Sequence, residues 1–189
     1  MNSRFFGELE PKLNILLGST NSGKTSVLMN DANDLAENNT KVGFISFETP
    51  SRVLRRFFNK PLDIKIYCYP PDYSLDALLE LLNTDDRDIF YIDMISLVQS
   101  RNLEISFREH LRNVLFELHK VCIKRNIPIV IDLQTQIRNV DIIDLFEEMT
   151  RLCLDFDINL FSLTRKEFEL TINKKKFLLT KDRKIENVK

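Results

Sequence analysis

Glycine is scarce in this chain, with four in 189 residues. Such a protein has few places where its backbone turns left-handed or comes close to another group. Two of the four, Gly18 and Gly23, sit together near the start. Cysteine is also rare. Cys68, Cys122 and Cys153 are far apart, odd in number and form no C-x-x-C pair. This argues against a disulfide framework and for a reducing compartment. Each cysteine has apolar neighbours, so three buried free thiols are expected. No run of 18 apolar residues occurs, which excludes a membrane-spanning helix and membrane partners. The opening MNSRFFGELEPKL carries acids and no long apolar stretch, unlike a secretion signal. The expected location is cytoplasmic, or the host cytoplasm if the chain is viral. Internal repeats, low-complexity segments and Pro/Gly linkers are missing too. One domain over residues 1–189 is therefore expected, with 1–11 as a short N-terminal extension.

Charge is nearly balanced at −1, so bulk electrostatics does not announce a nucleic-acid binder. Its distribution is uneven. Residues 165–189 hold nine Lys/Arg against four Asp/Glu. This basic C-terminal segment is either a solvated face or a surface for a polyanion.

What is present is an alternation of short apolar runs and helical periods. LNILLG, KVGFISFE, DIKIYCY, DIFYIDMISLV and IPIVIDLQ read as strands, the last two as runs covered on both faces. SVLMNDANDLAENN reads as a helix, as does PSRVLRRFFNK with Pro50 in its first turn. Ser74 caps SLDALLELL, with Leu75, Leu78, Leu79 and Leu82 on one side. Leu111, Leu115, Leu118 and Cys122 form one helical stripe within 105–125, and IIDLFEEMTRLCLDF is a further amphipathic helix. INLFSLTRK, FELTINKK and KFLLTKDRK then alternate with period two, as in an antiparallel meander. The pattern predicts an α/β fold, its sheet mostly parallel with antiparallel C-terminal strands.

GSTNSGKT, Gly18 to Thr25, fits G-x-x-x-x-G-K-[ST] and lies between a strand and a helix, where that motif belongs. Backbone N–H groups of Gly18, Ser19, Thr20, Asn21, Ser22, Gly23, Lys24, Thr25 and Ser26 are expected to wrap a phosphate chain at a helix N-terminus. Lys24 is expected at the β- and γ-phosphates and the Thr25 hydroxyl on Mg²⁺. Asp93, ending an apolar strand, is expected to hold the magnesium; the alternative is an ordinary turn former. Glu48, after VGFISF, is a candidate base for the attacking water, or else an exposed helix starter. Gln134, ending IPIVIDLQ, is a candidate γ-phosphate contact, or else a polar loop residue. All lie just past strand ends, where ligands of such sheets gather.

Taken together, GSTNSGKT, VGFISFETP, FYIDMISLV and KRNIPIVIDLQTQ resemble the RecA-like ATPase domain of DnaB-type replicative helicases, over about residues 12–185. The resemblance implies a three-layer α/β/α fold that binds and hydrolyses ATP with Mg²⁺. It implies Glu48 as catalytic base and Gln134 as phosphate sensor. FLLTKDRK resembles the family's Lys-x-Arg element, which implies that Lys181 and Arg183 reach a neighbouring subunit's site, Arg183 as arginine finger. Loops SRNLEIS, with Arg101, and TQIRNVD, with Arg138, take the places of the family's DNA-contacting loops. The implied partners are ATP, single-stranded DNA, and either a homo-oligomer such as a hexamer or another replication protein. About eleven residues precede the first strand, so the family's linker helix is not expected in this chain. Two functions follow: a minimal helicase or translocase motor, or an ATP-dependent loader or regulator that does not itself unwind DNA. A recombinase-like filament needs a polymerisation segment. Phe5 and Phe6 would be its only material, and they are expected instead to cover their own core.

Overall fold

A computed structural model describes residues 1–69, 74–95, 106–134, 150–151, 153–154, 156–167, 169–180 and 184–187. Its elements run β1 (Asn2–Ser3), β2 (Gly7–Glu8), β3 (Leu13–Gly18), α1 (Lys24–Glu37), β4 (Val42–Ser46), α2 (Ser51–Phe57), β5 (Ile64–Cys68), α3 (Leu75–Thr84), β6 (Ile89–Asp93), α4 (Phe107–Arg125), β7 (Ile129–Gln134), β8 (Asn159–Lys166), β9 (Glu169–Ile172), β10 (Lys175–Leu179) and β11 (Ile185–Asn187).

Nine strands form one sheet in the order β11-β10-β9-β8-β3-β7-β6-β4-β5. From β8 to β5 every pairing is parallel. From β8 to β11 every pairing is antiparallel. The sheet is therefore mostly parallel with an antiparallel C-terminal edge. One detail departs from the alternation pattern. INLFSLTRK does not merely open the meander: as β8 it also lies parallel to β3, with Leu17 opposite Ser162. Period-two alternation is the same for either pairing direction, so only the fold distinguishes them.

Strand residues alternate between two cores, one on each face. Leu13, Ile15, Leu17, Ile129, Ile131 and Leu133 pack with Leu78 and Leu82 of α3 and with Leu111, Leu115, Leu118 and Cys122 of α4. Leu16, Phe44, Tyr91 and Val130 pack with Val27, Leu28 and Met29 of α1 and with Leu54 of α2. The result is three layers, helix on sheet on helix. The α4 stripe read from the sequence is buried, and in α3 Leu78 and Leu82 are buried while Leu75 and Leu79 are partly so. Ser74 caps α3 by accepting from the Ala77 N–H at 3.3 Å, and Ser106 caps α4 by accepting from Glu109 at 3.2 Å. Asn126, left-handed with φ 55°, closes α4. Of the helix expected over 142–156, residues 150–151 and 153–154 are helical, Phe156 lies in a turn, and the rest lie outside the described residues.

The N-terminal extension is a small hairpin turned at Gly7, whose φ is +77°. Phe5 and Phe6 are buried, Phe5 against Phe177 and Phe6 edge-on to Phe161. They cover the chain's own core. The Ser3 hydroxyl donates to Asp31 of α1 at 2.6 Å and accepts from the N–H groups of Phe5 and Phe6. The Tyr91 hydroxyl donates to the other Asp31 oxygen at 2.6 Å. Burial pushes the Asp31 carboxyl up to about 6 despite these donors.

One cysteine expectation is corrected. Cys122 and Cys153 are buried free thiols, but Cys68 is exposed. It ends β5, which among the described residues is an edge strand paired with β4 alone, so apolar neighbours in sequence do not cover it.

Candidate functional site

At the carboxyl ends of β3, β4, β6 and β7 the fold opens a cleft of about 590 Å³. Its rim is the turn from β3 into α1. Gly18 ends β3 so tightly packed that a Cβ there would stand 2.7 Å from the Ser22 hydroxyl and 3.0 Å from the Leu163 carbonyl. Gly23 precedes α1 with φ +96°, a conformation that costs any other L-residue. The loop between them turns through a bond from the Ser22 N–H to the Ser19 carbonyl. No side chain caps α1 and its first turn holds no acid. Its first N–H groups are therefore open to an acceptor from outside the helix, with the dipole favouring an anion.

Thr20, Asn21, Gly23, Lys24, Thr25 and Ser26 line the cleft. Ser22 is 2% exposed, and its hydroxyl has no hydrogen-bond partner among the described residues. The Lys24 ammonium donates to the carbonyls of Gly18 at 3.2 Å and Ser19 at 3.0 Å. Burial lowers its pKa, and Asp132, Glu48 and Asp93 oppose that fall. Lys24 thus rests on carbonyl acceptors that a phosphate would replace at short range.

Asp93, at the end of β6, is fully buried. Its Oδ1 accepts from the Thr25 hydroxyl at 2.7 Å. Its Oδ2 accepts from Ser46 at 2.9 Å and Thr49 at 3.0 Å. The paired hydroxyl and carboxylate are hard oxygen donors beside the phosphate loop, a donor set that suits Mg²⁺. Glu48 follows β4, lines the cleft and is exposed to it. Burial first and Asp93 second raise its pKa, while Lys24 lowers it. Gln134 ends β7 on the same cleft. Thus the phosphate loop, Glu48, Asp93 and Gln134, spread over 117 residues of sequence from Gly18, come to one place. Arg101, Arg138, Lys181 and Arg183 lie outside the described residues. Leu179 and Thr180, just before Lys181, line the cleft.

Sequence reasoning missed four site residues. Ser46 and Thr49 hold Asp93; only the S-x-E-T spacing around Glu48 hinted at them. Arg165, near the end of β8, lines the cleft and donates to the Asn21 carbonyl at 3.1 Å. Its single cation in a basic segment gave no signal. Asp132 is 1% exposed and lines the cleft within β7. Burial and then Asp93 hold its pKa well above the usual carboxylate range, against Lys24. A lone acid within IPIVIDLQ was the signal available.

No protein-family model and no curated protein matches the chain. Solved structures do. The chain is similar to a structure described as an ATPase domain, with TM-score 0.75 and 14% identity, covering 97% of this chain and 87% of that one. It is also similar to a structure described as a DnaB-like replicative helicase and its interactions with primase, with TM-score 0.74 and 12% identity, covering 96% of this chain and 60% of that one. Among the described residues no helix is long and apolar enough to cross a membrane. The chain has the RecA-like α/β fold of the ATPase domains of DnaB-type helicases.

Proposed function

We propose that the cleft binds and hydrolyses ATP with Mg²⁺, and that the chain is a RecA/DnaB-like motor domain acting on single-stranded DNA in replication. One observation carries the reading. Thr25 and Asp93 meet at 2.7 Å in the first turn of an uncapped helix, next in sequence to a lysine held on carbonyls. That is a site for a polyphosphate and a hard divalent cation together.

The residues divide the work as follows. The loop amides from Gly18 to Ser26 and the Lys24 ammonium bind and neutralise the phosphates. Thr25 and Asp93 hold Mg²⁺, which when bound supplies charge neutralisation at the phosphoryl oxygens. Ser46 and Thr49 fix the Asp93 carboxylate so that Oδ1 stays toward Thr25. Glu48 takes a proton from the attacking water at its carboxylate; its raised pKa makes it a stronger base than an ordinary glutamate. Gln134 contacts the γ-phosphate and passes its presence to the segment that follows β7 in sequence, which includes Arg138. Arg101 and Arg138 contact DNA phosphates. Lys181 and Arg183, just beyond the cleft-lining Thr180, act on the site of a neighbouring copy of the chain.

The test is ATP turnover against protein concentration, with and without single-stranded DNA, for wild type and Arg183→Ala. Turnover per subunit that rises with concentration, responds to DNA and collapses in the variant supports the shared-site motor. DNA-indifferent turnover with a stable complex of another replication protein assigns the chain to the loader or regulator class instead. Turnover unchanged by dilution and by the substitution refutes the shared site.

A further inference from the structure

We propose that Asp132 is a positioning residue of the divalent-cation site, a carboxyl oxygen of it accepting a hydrogen bond from a water on the metal held by Thr25 and Asp93. The inference rests on the nucleotide reading above and adds to it a second carboxylate.

Strands β6 and β7 are parallel neighbours, with Ile92 opposite Ile131. One step further along each lie Asp93 and Asp132. Tyr91 and Val130, two residues earlier, both pack in the core beneath α1. Strand alternation therefore puts Asp93 and Asp132 side by side on that same face, toward the start of α1. Their hydrogen bonding differs. Both Asp93 oxygens have donors, Oδ1 one from Thr25 and Oδ2 two from Ser46 and Thr49, which leaves Oδ1 a lone pair for a cation. Asp132 is 1% exposed and borders the cleft, yet its Oδ1 has no hydrogen-bond partner among the described residues. Lys24, whose charge acts on Asp132, makes its two hydrogen bonds to Gly18 and Ser19 and none to Asp132 Oδ1. A buried acceptor with no donor, on a side chain that lines a cleft, is a rarity in folded proteins. The donor that fits is a metal-bound water, which hard cations of this kind usually retain. Oxygen acceptors behind a metal's own ligands fix its hydration and hold it in place.

The experiment is a Mn²⁺ titration followed by electron paramagnetic resonance, with adenylyl imidodiphosphate saturating the site. It compares wild type, Asp132→Leu and Asp132→Asn. Affinity for the same nucleotide is measured separately in EDTA, and circular dichroism checks each fold. Asp132→Leu is expected to weaken Mn²⁺ about tenfold or more, with EDTA nucleotide affinity unchanged. Asp132→Asn keeps the shape and an oxygen acceptor, so it falls between. It also carries the test by itself if the leucine variant does not fold. Mn²⁺ affinity within twofold of wild type in the asparagine and leucine variants overturns the inference. So does a loss of metal-free nucleotide affinity as large as the loss for Mn²⁺, which assigns Asp132 to Lys24 instead. A wild type that binds no nucleotide in EDTA or with Mn²⁺ refutes the nucleotide reading itself, a result distinct from both.

Discussion

Asp31→Asn tests how the N-terminal hairpin is fastened to the helix that starts at the phosphate loop. Asp31 lies in the second half of α1, fully buried, and receives Ser3 from the hairpin and Tyr91 from β6. Its pKa rises from 3.8 to about 6, burial being the largest cause, with Asp34 adding to it and Arg4 opposing. The folded protein therefore holds this proton more tightly than the unfolded chain does. The stability this provides is complete below about pH 4 and lost as pH rises to about 6. A shift of about two units at 1.36 kcal/mol each gives about 3 kcal/mol. Asparagine has the same shape and no charge, so it lacks this loss. The stability of Asp31→Asn minus that of wild type should grow by about 3 kcal/mol between pH 4 and pH 7, nearly all of it below pH 6.5. Urea unfolding by far-UV circular dichroism measures this in a chain that has no tryptophan. In thermal melts the gap corresponds to roughly 6–12 °C for a chain of this size. A difference between the two proteins that stays constant from pH 4 to pH 7 refutes the reasoning.

Glu48→Gln should leave nucleotide affinity within a few-fold and lower turnover by about 10²–10⁴, as loss of a general base does; equal losses in both would assign Glu48 to binding. Because burial and Asp93 raise Glu48 above 4.5, the acid limb of wild-type turnover should have its midpoint above that pH, and a pH–rate profile reads it directly. Gly23→Ala forces a side chain into φ +96° and should cost about 1–2 kcal/mol in urea unfolding, together with a loss of nucleotide affinity. Its Cβ would meet Leu170 at 3.4 Å, ordinary contact, so the cost comes from the backbone rather than from crowding. Leu118→Ala, at a fully buried position of α4 far from the phosphate loop, should cost about 2–5 kcal/mol in the same assay and leave the affinity for nucleotide unchanged.

Much of this fold follows from local chemistry, which a sequence displays openly. The apolar runs of β6 and β7 are covered on both faces, and the caps at Ser74 and Ser106 are bonds spanning three residues. What escaped depends on partners remote in sequence. The hairpin at residues 2–8 is fixed by Phe177, Phe161 and Asp31, all distant. The exposure of Cys68 follows from the edge position of β5, which strand order decides. The same division runs through the site. Gly18 to Thr25 is contiguous, so its spacing could be read. Glu48, Asp93 and Gln134 could be read because each closes an apolar run. Asp132 and Arg165 sit within their strands, and what they face is set by register with β3 and β9. No spacing within their own segments encodes that register.

The helix ends sharpen the case for an anion. Both α3 and α4 satisfy their first N–H groups with a serine and place an acid in the first turn, Asp76 and Glu109. The short α2 opens after Pro50, whose fixed φ suits a helix entry. α1 is longer than α3 and has a buried first residue in Lys24, yet it has neither a capping side chain nor an acid. Asparagine or serine in place of Gly23 would supply a cap at modest cost elsewhere in a protein. Here a side chain at Gly23 would be forced into the left-handed backbone, with its Cβ against Leu170 and Leu179. A chain that caps its other long helices and leaves this one open, next to an ammonium group and a hydroxyl–carboxylate pair, has the electrostatics of a site whose missing acceptor arrives from solution.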